Sequence, residues 1–426
     1  MRFDNPFRGV QLVCPDMRYL FIHKHLPGQF EGLIKSLLDD PANEVIGIGQ
    51  EFQPMRYSLL RLGLETYEPA AVASSAQHPT LRVCANDIAH GLAVADVLNR
   101  LKQDGFVPDL AVAHLGWGEA TYFKDIFPDT PLLGYCEFFY RARGADVDFD
   151  PSFPLTLEAE FRIRSANAVK MLGLESMDVG VTPTHWQKSL FPAEYQSKIR
   201  VIHEGIDVNG LRPDAAARFH LPSGRVLTRA DRVVTFATRN LEPYRGIETM
   251  LRAVDLICRR RQDCQFVIAG GDEIRYGAPS PGHNLRRQLS AELGLDSERV
   301  HFVGHLPYRE YLGLLQVSSA HVYLTVPFVL SWSMLEAMAA GCVVIGSDTA
   351  PVREVLRHGH NGLLVDFFSP DDLAATVNQV LDHPDRVQSL GQQARADMVA
   401  SYSQDLALRE YRSLMQGLLA LKEASA

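Results

Sequence analysis

The sequence predicts an α/β protein made of two consecutive doubly wound domains, each a parallel sheet covered by helices on both faces. Short apolar runs alternate with helical patterns along almost the whole chain, which is typical of parallel sheets buried on both sides. The chain has 426 residues, more than one ordinary domain holds. The alternation restarts after a polar stretch ending near residue 231. Two units of similar size are therefore expected.

The first unit begins with a strand predicted over 18–23, a turn at Pro27-Gly28 and a helix over 30–38. Its other strands are predicted at 44–48, 110–114, 132–135, 179–182 and 200–203. Its other helices are predicted at 87–101, 119–125 and 155–173.

The second unit repeats the alternation of strand and helix. Its strands are predicted at 233–237, 265–269, 300–303, 321–324, 343–345 and 363–366. A helix over 371–381 and a helical last forty residues complete the chain.

Composition excludes several classes of protein. With 46% hydrophobic and 22% charged residues the chain is an ordinary globular protein, and its net charge of −9 argues against nucleic acid as a partner. The six cysteines are scattered without zinc-site spacing, so a reducing compartment is expected. No uncharged stretch is long enough to span a membrane, and no secretory signal pattern is present, which favours the cytoplasm.

Ligands of such sheets bind at the carboxyl ends of the strands, where glycines let the backbone approach a phosphate. Gly270-Gly271 follows a strand of the second unit, and Gly28 holds the same place in the first. Strand-ending glycines are also ordinary turn residues, so this signal is weak by itself. A G-x-G-x-x-G dinucleotide fingerprint follows neither opening strand.

Two arginines in one strand-to-helix loop suggest a diphosphate clamp. Arg239 and Arg245 flank this loop, and Gly246 stands at the start of the following helix. Paired guanidinium groups bind diphosphates bidentately. The alternative is a surface ion pair with Glu242, and the clamp is favoured.

Polar residues at three other strand ends have both structural and functional interpretations. Ser333 and Glu336 are spaced as a helix capping box, but an acid there also suits a sugar hydroxyl. His114 is either a satisfied structural histidine or a cleft residue, and Glu119 is either a first-turn helix charge or a site residue. Glu137 lies in an aromatic run that is also typical of a core.

Several motifs together resemble the retaining nucleotide-sugar glycosyltransferases of family four, the group 1 glycosyl transferases. In the second unit they are Arg239, Arg245-Gly246, Gly270-Gly271, VHFVG at 300–304, LEAMAAG at 335–341, and Glu354 with GHNG at 359–362. In the first unit the resemblance covers Gly28-Gln29 and IHEGID at 202–207, more loosely. It extends over about residues 17–385.

The resemblance implies the GT-B architecture, two Rossmann-like domains facing across a cleft. The expected division is an N-terminal extension (1–16), an acceptor-side domain (17–208), a nucleotide-sugar domain (209–385) and C-terminal helices packing back across both domains (386–426). It implies catalytic roles for His114, Arg239 and Arg245, although the family usually has Lys where Arg245 stands. It further implies donor contacts at Gly28, Gly270, Gly271, Gly304 and Glu336. Ser331, Trp332 and Ser333 are candidates for a different donor-sugar contact, and Glu119 and Glu137 are candidates for acceptor contacts.

The sequence departs from the family at one position. Phe328 stands where the family has the first of two paired glutamates, and Val329-Leu330-Ser331 replaces a Gly-Phe-Gly segment. That region grips the donor sugar in the family. An unusual donor sugar, or a changed pattern of hydroxyl recognition, is therefore expected.

The function expected is a retaining, metal-independent transfer of sugar from a nucleotide-sugar, a UDP-sugar by preference, to a hydroxyl acceptor that is a glycan, lipid-linked or other. The nucleotide-sugar is a substrate, and no cofactor or metal is expected. Asp146 and Asp148 mimic a D-x-D metal site, but they lie in a loop before Pro151. Bacterial surface polysaccharide or glycoconjugate synthesis with peripheral inner-membrane contact is the expected setting. The alternatives are a nucleotide-sugar epimerase and a non-catalytic nucleotide-sugar-binding scaffold.

Overall fold

Two parallel β-sheets organise the chain, whose computed structural model describes residues 16–52, 59–72, 78–273 and 284–425. The strands before the linker between the sheets are β1 (Met17–Ile22), β2 (His25–Leu26), β3 (Asn43–Gly49), β4 (Glu51–Phe52), β5 (Gly63–Thr66), β6 (Leu110–His114), β7 (Leu132–Tyr135), β8 (Val179–Thr182) and β9 (Ile199–Val201). The strands after it are β10 (Arg218–His220), β11 (Val226–Thr228), β12 (Arg232–Asn240), β13 (Cys264–Gly271), β14 (Val300–Gly304), β15 (Ala320–Tyr323), β16 (Val344–Ser347) and β17 (Leu363–Val365).

Helices connect these strands. Those of the first domain are α1 (Glu31–Leu38), α2 (Pro79–Gln103), α3 (Phe123–Ile126), α4 (Leu157–Ala166), α5 (Ala168–Ser176), α6 (His185–Leu190) and α7 (Ala193–Gln196). Those that follow are α8 (Ile247–Arg260), α9 (Leu285–Leu293), α10 (Tyr308–Val317), α11 (Trp332–Ala339), α12 (Ala350–Arg353), α13 (Pro370–Asp382), α14 (Pro384–Ser401) and α15 (Gln404–Ser425).

The strand order reverses once in each sheet. The first sheet has the order β5-β3-β1-β6-β7-β8-β9, and the second has the order β14-β13-β12-β15-β16-β17. Each ladder between neighbours in these sheets is parallel. The reversals fall between β1 and β6 and between β12 and β15, so ligand sites are expected at the carboxyl ends of these two strand pairs.

Alternate residues of a strand enter different cores, which shows that both faces of the first sheet are covered. Leu20 and Ile22 of β1 belong to one buried cluster, and Tyr19 and Phe21 belong to another. The second cluster also includes Tyr411 of α15. The predicted α/β architecture is therefore confirmed.

The structure corrects several predicted elements. The helix expected over 155–173 is two helices separated at Asn167, whose side-chain amide bonds both backbone groups of Tyr140. The helix expected over 119–125 is the short α3. The hairpin β10–β11 was not predicted, because three-residue strands are too short for a pattern, although Phe219 and Leu227 are buried.

The C-terminal helices contact both domains. Helix α14 packs on α11 of the second domain, whereas α15 packs on α1 of the first. The linker also contacts the junction of α14 and α15, since the Ile206 N–H donates to the Tyr402 carbonyl (2.7 Å) and the Gln404 N–H to the Ile206 carbonyl (2.9 Å). The predicted extension 1–16 lies, apart from Asp16, outside the described residues.

No helix in the described ranges combines the length and apolarity that crossing a bilayer requires.

Substitution of Gly205 tests the contact between the linker and helix α15. Gly205 has φ +85°, and a Cβ there would lie 2.4 Å from the Gln404 Cα. Gly205→Ala should cost about 1 to 3 kcal/mol beyond the positive-φ cost of about 1 to 2 kcal/mol, because backbone atoms cannot yield like a flexible side chain. Gly224→Ala is the matched control, with φ +87° and nothing within 4 Å of the added Cβ. Chemical unfolding of both variants measures the difference, and equal losses would refute the contact.

Candidate functional site

A cavity of about 240 Å³ opens at the carboxyl ends of β12 and β13 in the second domain. The loop before α11 closes one side of it. Seven of the predicted site residues line it: Arg239, Gly270, Gly304, Ser331, Trp332, Ser333 and Glu336. These residues come from four separate chain segments, and the sheet brings them together.

Two adjacent glycines shape the floor of this cavity. Gly270 has φ +148°, and a Cβ there would lie 2.7 Å from the Thr238 carbonyl oxygen. At Gly271 a Cβ would lie 2.4 Å from Nε2 of His305, a lining residue. Gly271 therefore makes room for a lining side chain, whereas Gly270 itself faces the cavity.

The two predicted arginines have different environments. Arg239 is exposed and lines the cavity, and within the described residues no hydrogen bond or ion pair joins its guanidinium to another side chain or backbone group. The Arg245 guanidinium lies outside the lining. It donates to Thr325 Oγ1 (2.9 Å), to the Tyr323 hydroxyl (3.4 Å) and to the Val329 carbonyl (3.5 Å). Arg245 therefore supports the loop that precedes Ser331.

The start of α11 excludes the capping-box alternative. Ser331 is the N-cap, and its hydroxyl accepts from the Ser333 N–H (3.3 Å), so the third helical residue is Met334 and not Glu336. The Glu336 side chain instead lies beside the Tyr308 hydroxyl, 3.5 Å from its Oε1, in a residue only 4% exposed. Its carboxylate is thus placed at the cavity wall and not at the helix end.

The first domain contains a second cluster at its own strand reversal, where β1 and β6 end. His23 Nδ1 accepts from the His25 N–H (3.0 Å), so its Nε2 carries the proton and donates to Gln29 Oε1 (2.7 Å). Gln29 Nε2 then donates to Glu137 Oε1 (2.7 Å). Burial and the nearby His114 lower the pKa of His23 well below its usual range, which keeps the ring neutral.

His114 completes this cluster. Its Nδ1 accepts from the Gly116 N–H (3.0 Å), which leaves the proton on Nε2. Nε2 lies 3.4 Å from Glu137 Oε2 and forms no hydrogen bond with a described residue, although it is buried. The indole of Trp117 stacks on the imidazole at 3.8 Å. His114 therefore holds a fixed, unused N–H donor beside a carboxylate.

The glycine predicted to contact the donor from the first domain lies against this cluster. Gly28 has φ +51°, and a Cβ there would lie 2.4 Å from the His23 ring. The Arg239 charge contributes to lowering the pKa of His25, after burial and Lys24, so the two domains face each other here.

Glu119 is not brought to the cleft. It precedes α3, so it is not a first-turn helix charge, and it is only 1% exposed. Its Oε1 accepts from the Tyr67 hydroxyl (2.8 Å), while its Oε2 has no hydrogen-bond partner among the described residues. Burial raises the pKa of Glu119. Burial, together with the nearby Glu119 charge, also raises the pKa of Asp87 to about 6. An acceptor cannot touch Glu119 in this conformation.

Aromatic and polar contacts join the two domains around the cleft. Phe328 is 6% exposed and packs on Phe138 of the first domain at 4.8 Å and on Tyr244 at 5.6 Å. The Tyr244 hydroxyl donates to Asp146 (3.0 Å) across the same boundary. Phe328 is thus a contact between domains and lies outside the cavity lining.

A carboxylate of the second domain caps a helix of the first. Glu354 accepts from the backbone N–H groups of His185 (2.7 Å) and Trp186 (2.8 Å), which open α6. In the loop before Pro151, Asp148 accepts from the Gly144 N–H, and Asp150 accepts from the Ser152 N–H in the same segment, as turn residues do. Among the described residues no three His, Cys, Asp or Glu side chains form a metal-binding group.

Sequence reasoning missed His23, Gln29 and Trp117. His23 and Gln29 flank the Pro27-Gly28 turn at the end of β1, and Trp117 follows His114 by three residues. Their position at strand ends was a signal, but only the fold shows that β1 and β6 are neighbours.

Family models match both halves of the chain. The model of the glycosyl transferase family 4 group matches residues 43–211, and that of the glycosyl transferases group 1 matches residues 225–397. The chain belongs to the family-four, group 1 glycosyltransferases.

Curated members of the family match this glycosyltransferase chain over part of their length. A D-inositol 3-phosphate glycosyltransferase from Thermobispora bispora is 29% identical over 45% of this chain and 44% of its own. A GDP-mannose-dependent alpha-(1-6)-phosphatidylinositol monomannoside mannosyltransferase from Mycobacterium tuberculosis is 26% identical over 57% of this chain and 63% of its own. The chain therefore spans about half to two thirds of these relatives.

Solved structures show the GT-B fold of this family member. Anabaena HepE, in complex with UDP and glucose, superposes with a TM-score of 0.67 at 17% identity, over 94% of this chain and 100% of that one. Sucrose-phosphate synthase from Thermosynechococcus elongatus superposes with a TM-score of 0.70 at 16% identity, over 95% of this chain and 100% of that one.

The Asp87 pKa gives the stability of this chain a pH dependence. An unfolded Asp titrates near pH 4, so between about pH 4 and pH 6 the folded state retains a proton that the unfolded chain releases. The contribution of Asp87 to the free energy of unfolding therefore falls as pH rises, by about 1.4 kcal/mol per pH unit. Asp87→Asn should remove this slope in chemical unfolding at pH 4.5 and 7. Asp96→Asn, exposed on the same helix, is the control and should keep it.

Phe328 should control how the domains close. Phe328→Glu places a charge in a buried apolar contact, so we expect a larger radius of gyration in small-angle X-ray scattering and an unchanged fold by circular dichroism. Phe328→Leu keeps the contact apolar and should remain compact. Identical scattering from both variants would contradict the role of Phe328 in closure.

Proposed function

We propose that this chain is a retaining glycosyltransferase that moves a sugar from a nucleotide-sugar, a UDP-sugar by preference, to a hydroxyl acceptor. The observation that carries the proposal is the pairing of two built sites across one cleft. The second domain offers Arg239, whose guanidinium has no hydrogen-bond or ion-pair partner among the described residues, beside a glycine floor. The first domain offers the His114 Nε2–H, which also has no hydrogen-bond partner in the described part of the chain, beside Glu137.

The nucleotide diphosphate is assigned to the cavity of the second domain. Arg239 would bind the diphosphate, since a free guanidinium is suited to bidentate contact with phosphate oxygens. The buried Glu336 would accept hydrogen bonds from the ribose hydroxyls. The UDP bound by HepE and the GDP-mannose used by the mycobacterial relative both support a nucleotide-sugar, although they differ in the nucleotide.

Charge on the departing diphosphate would be stabilised by Arg239, because a positive group aimed at developing negative charge lowers the barrier. Arg245 supports this arrangement indirectly by holding the loop before Ser331. The leaving phosphate would take the proton of the acceptor hydroxyl in a front-face displacement, the mechanism proposed for this family.

Donor-sugar recognition is expected to rely on Ser331, Trp332 and Ser333. These residues line the cavity, whereas Phe328 points into the contact with Phe138 and supplies no polar group. A sugar hydroxyl that a glutamate binds in other family members would therefore meet a different partner. The proposal of an unusual donor sugar rests on this difference.

The acceptor is assigned to the first domain, beside Glu137. One quarter of the Glu137 side chain is exposed, and its carboxylate is already oriented by Gln29. An acceptor hydroxyl could donate to it while His114 donates to a sugar oxygen. The names of the relatives include an inositol phosphate and a lipid-linked mannoside, which supports an acceptor rich in hydroxyls. A cytoplasmic location with peripheral inner-membrane contact remains part of the proposal.

Arg239→Ala tests donor binding directly. Loss of a charge-assisted phosphate contact should weaken UDP binding about tenfold or more in isothermal titration calorimetry. Arg260→Ala is the control, since it removes the same charge from the exposed end of α8. Equal affinities for the two variants would contradict the assignment of the diphosphate.

A panel of nucleotide-sugars with hydroxyl acceptors separates the alternatives. Release of UDP that depends on acceptor, with retention of anomeric configuration by nuclear magnetic resonance, supports the transferase. A changed sugar without acceptor would instead identify an epimerase. Donor binding without UDP release for every acceptor would identify a non-catalytic scaffold.

A further inference from the structure

We propose that Glu204 is a positioning residue that links the donor loop, residues 329–333, to the acceptor-side domain. The inference rests on the proposed function, and it concerns the segment IHEGID at 202–207, for which the sequence indicated no role beyond family resemblance. This segment is the linker through which the chain passes from the first sheet to the second domain.

The Glu204 carboxylate is buried and surrounded by hydrogen-bond donors. Its side chain is 6% exposed. Oε1 accepts from the Tyr135 hydroxyl, and Oε2 accepts from Trp332 Nε1 (3.1 Å). The His203 Nε2 lies 3.4 Å from Oε2. Because His203 Nδ1 accepts from the Gly205 N–H (3.0 Å), the proton of this ring is on Nε2 and faces the carboxylate.

The donors around Glu204 belong to different parts of the molecule. Tyr135 ends β7 in the first domain, and its ring packs on Phe30 at 5.7 Å and on His114 at 5.5 Å. Trp332 is the first residue of α11 in the second domain and lines the donor cavity. One carboxylate of the linker therefore bonds to a neighbour of His114 and to a wall of the donor site.

Other contacts hold the donor loop from within its own domain. The Ser331 N–H donates to the Tyr323 hydroxyl (2.9 Å), and Arg245 donates to the Val329 carbonyl. Glu204 adds a contact that depends on the relative position of the domains. A rotation about the linker would change the Tyr135 and Trp332 bonds together, so domain closure and the orientation of Trp332 are coupled through this carboxylate.

Replacement of Glu204 by Gln keeps its shape but not its hydrogen bonding. A carboxylate accepts hydrogen bonds on both oxygens. The NH2 group of an amide would instead face another donor, either the Tyr135 hydroxyl or the N–H groups of Trp332 and His203. The donor loop should therefore loosen while the protein stays folded. Asp207→Asn is the matched control in the same linker, because within the described residues the Asp207 carboxylate accepts only from the Asn209 and Gly210 N–H groups in its own turn.

Hydrogen exchange of the free, full-length chain tests the link without requiring turnover. Glu204→Gln and Tyr135→Phe should each raise exchange across 329–335, although Tyr135 lies in the other domain, and Asp207→Asn should not. Unchanged exchange in Tyr135→Phe would overturn the proposal. Equal loosening in Asp207→Asn would also overturn it, because a general weakening of the linker would then explain the effect.

Kinetics supply the second readout. With a nucleotide-sugar that the wild type uses, Glu204→Gln should lower kcat about tenfold or more, with the UDP dissociation constant within about twofold of the wild type. Loss of UDP binding with kcat unchanged would contradict a positioning role. A wild type that transfers no sugar contradicts the proposed function instead, and the exchange comparison still decides the role of Glu204.

Discussion

Both halves of the site depend on one constraint. The carboxyl ends of parallel strands share an edge of the sheet, and the loops that follow these strands separate where the strand order reverses. In the first sheet this reversal lies between β1 and β6, so His23 and His114 meet with ring centroids 5.1 Å apart. In the second sheet it lies between β12 and β15, which brings Arg245 to Tyr323 and Thr325. The linker and C-terminal helices join the two domains so that these edges face one cleft.

Hydrogen-bond direction gives the first-domain cluster its chemical character. Backbone N–H groups occupy Nδ1 of both His23 and His114, so both rings present Nε2–H toward the Gln29 and Glu137 side chains. N–H donors from both histidine rings are thus ordered around Gln29 and the Glu137 carboxylate. Lys24 of the first domain and Arg239 of the second both bring positive charge near His25. The net charge of −9 therefore says little about the local field at the site.

Contacts between the domains use residues near the site itself. Phe328, Tyr244 and Trp332 contact Phe138, Asp146 and the linker respectively, and each lies in a segment between a strand and the helix that follows it, or at the start of that helix. Phe328, the predicted departure from the family pattern, supplies an aromatic side chain to one of these contacts. Closure of the cleft and the shape of the cavity in the second domain are for this reason not independent in this chain.

The sequence alone determined the architecture, most strand positions and about half of the residues that line the cavity of the second domain. Alternating apolar runs define buried parallel strands because their side chains must avoid water on both faces, and seven predicted residues proved to line one cavity. Short-range spacing did not determine which strand ends are neighbours, so His23 and Gln29 were missed. It also left open a capping box at Ser333 and Glu336, which the structure excludes because the N-cap is Ser331. Only the tertiary structure placed Glu119 inside the domain, Phe328 between the domains and Glu204 between Tyr135 and Trp332, since each of these positions depends on residues distant in the chain.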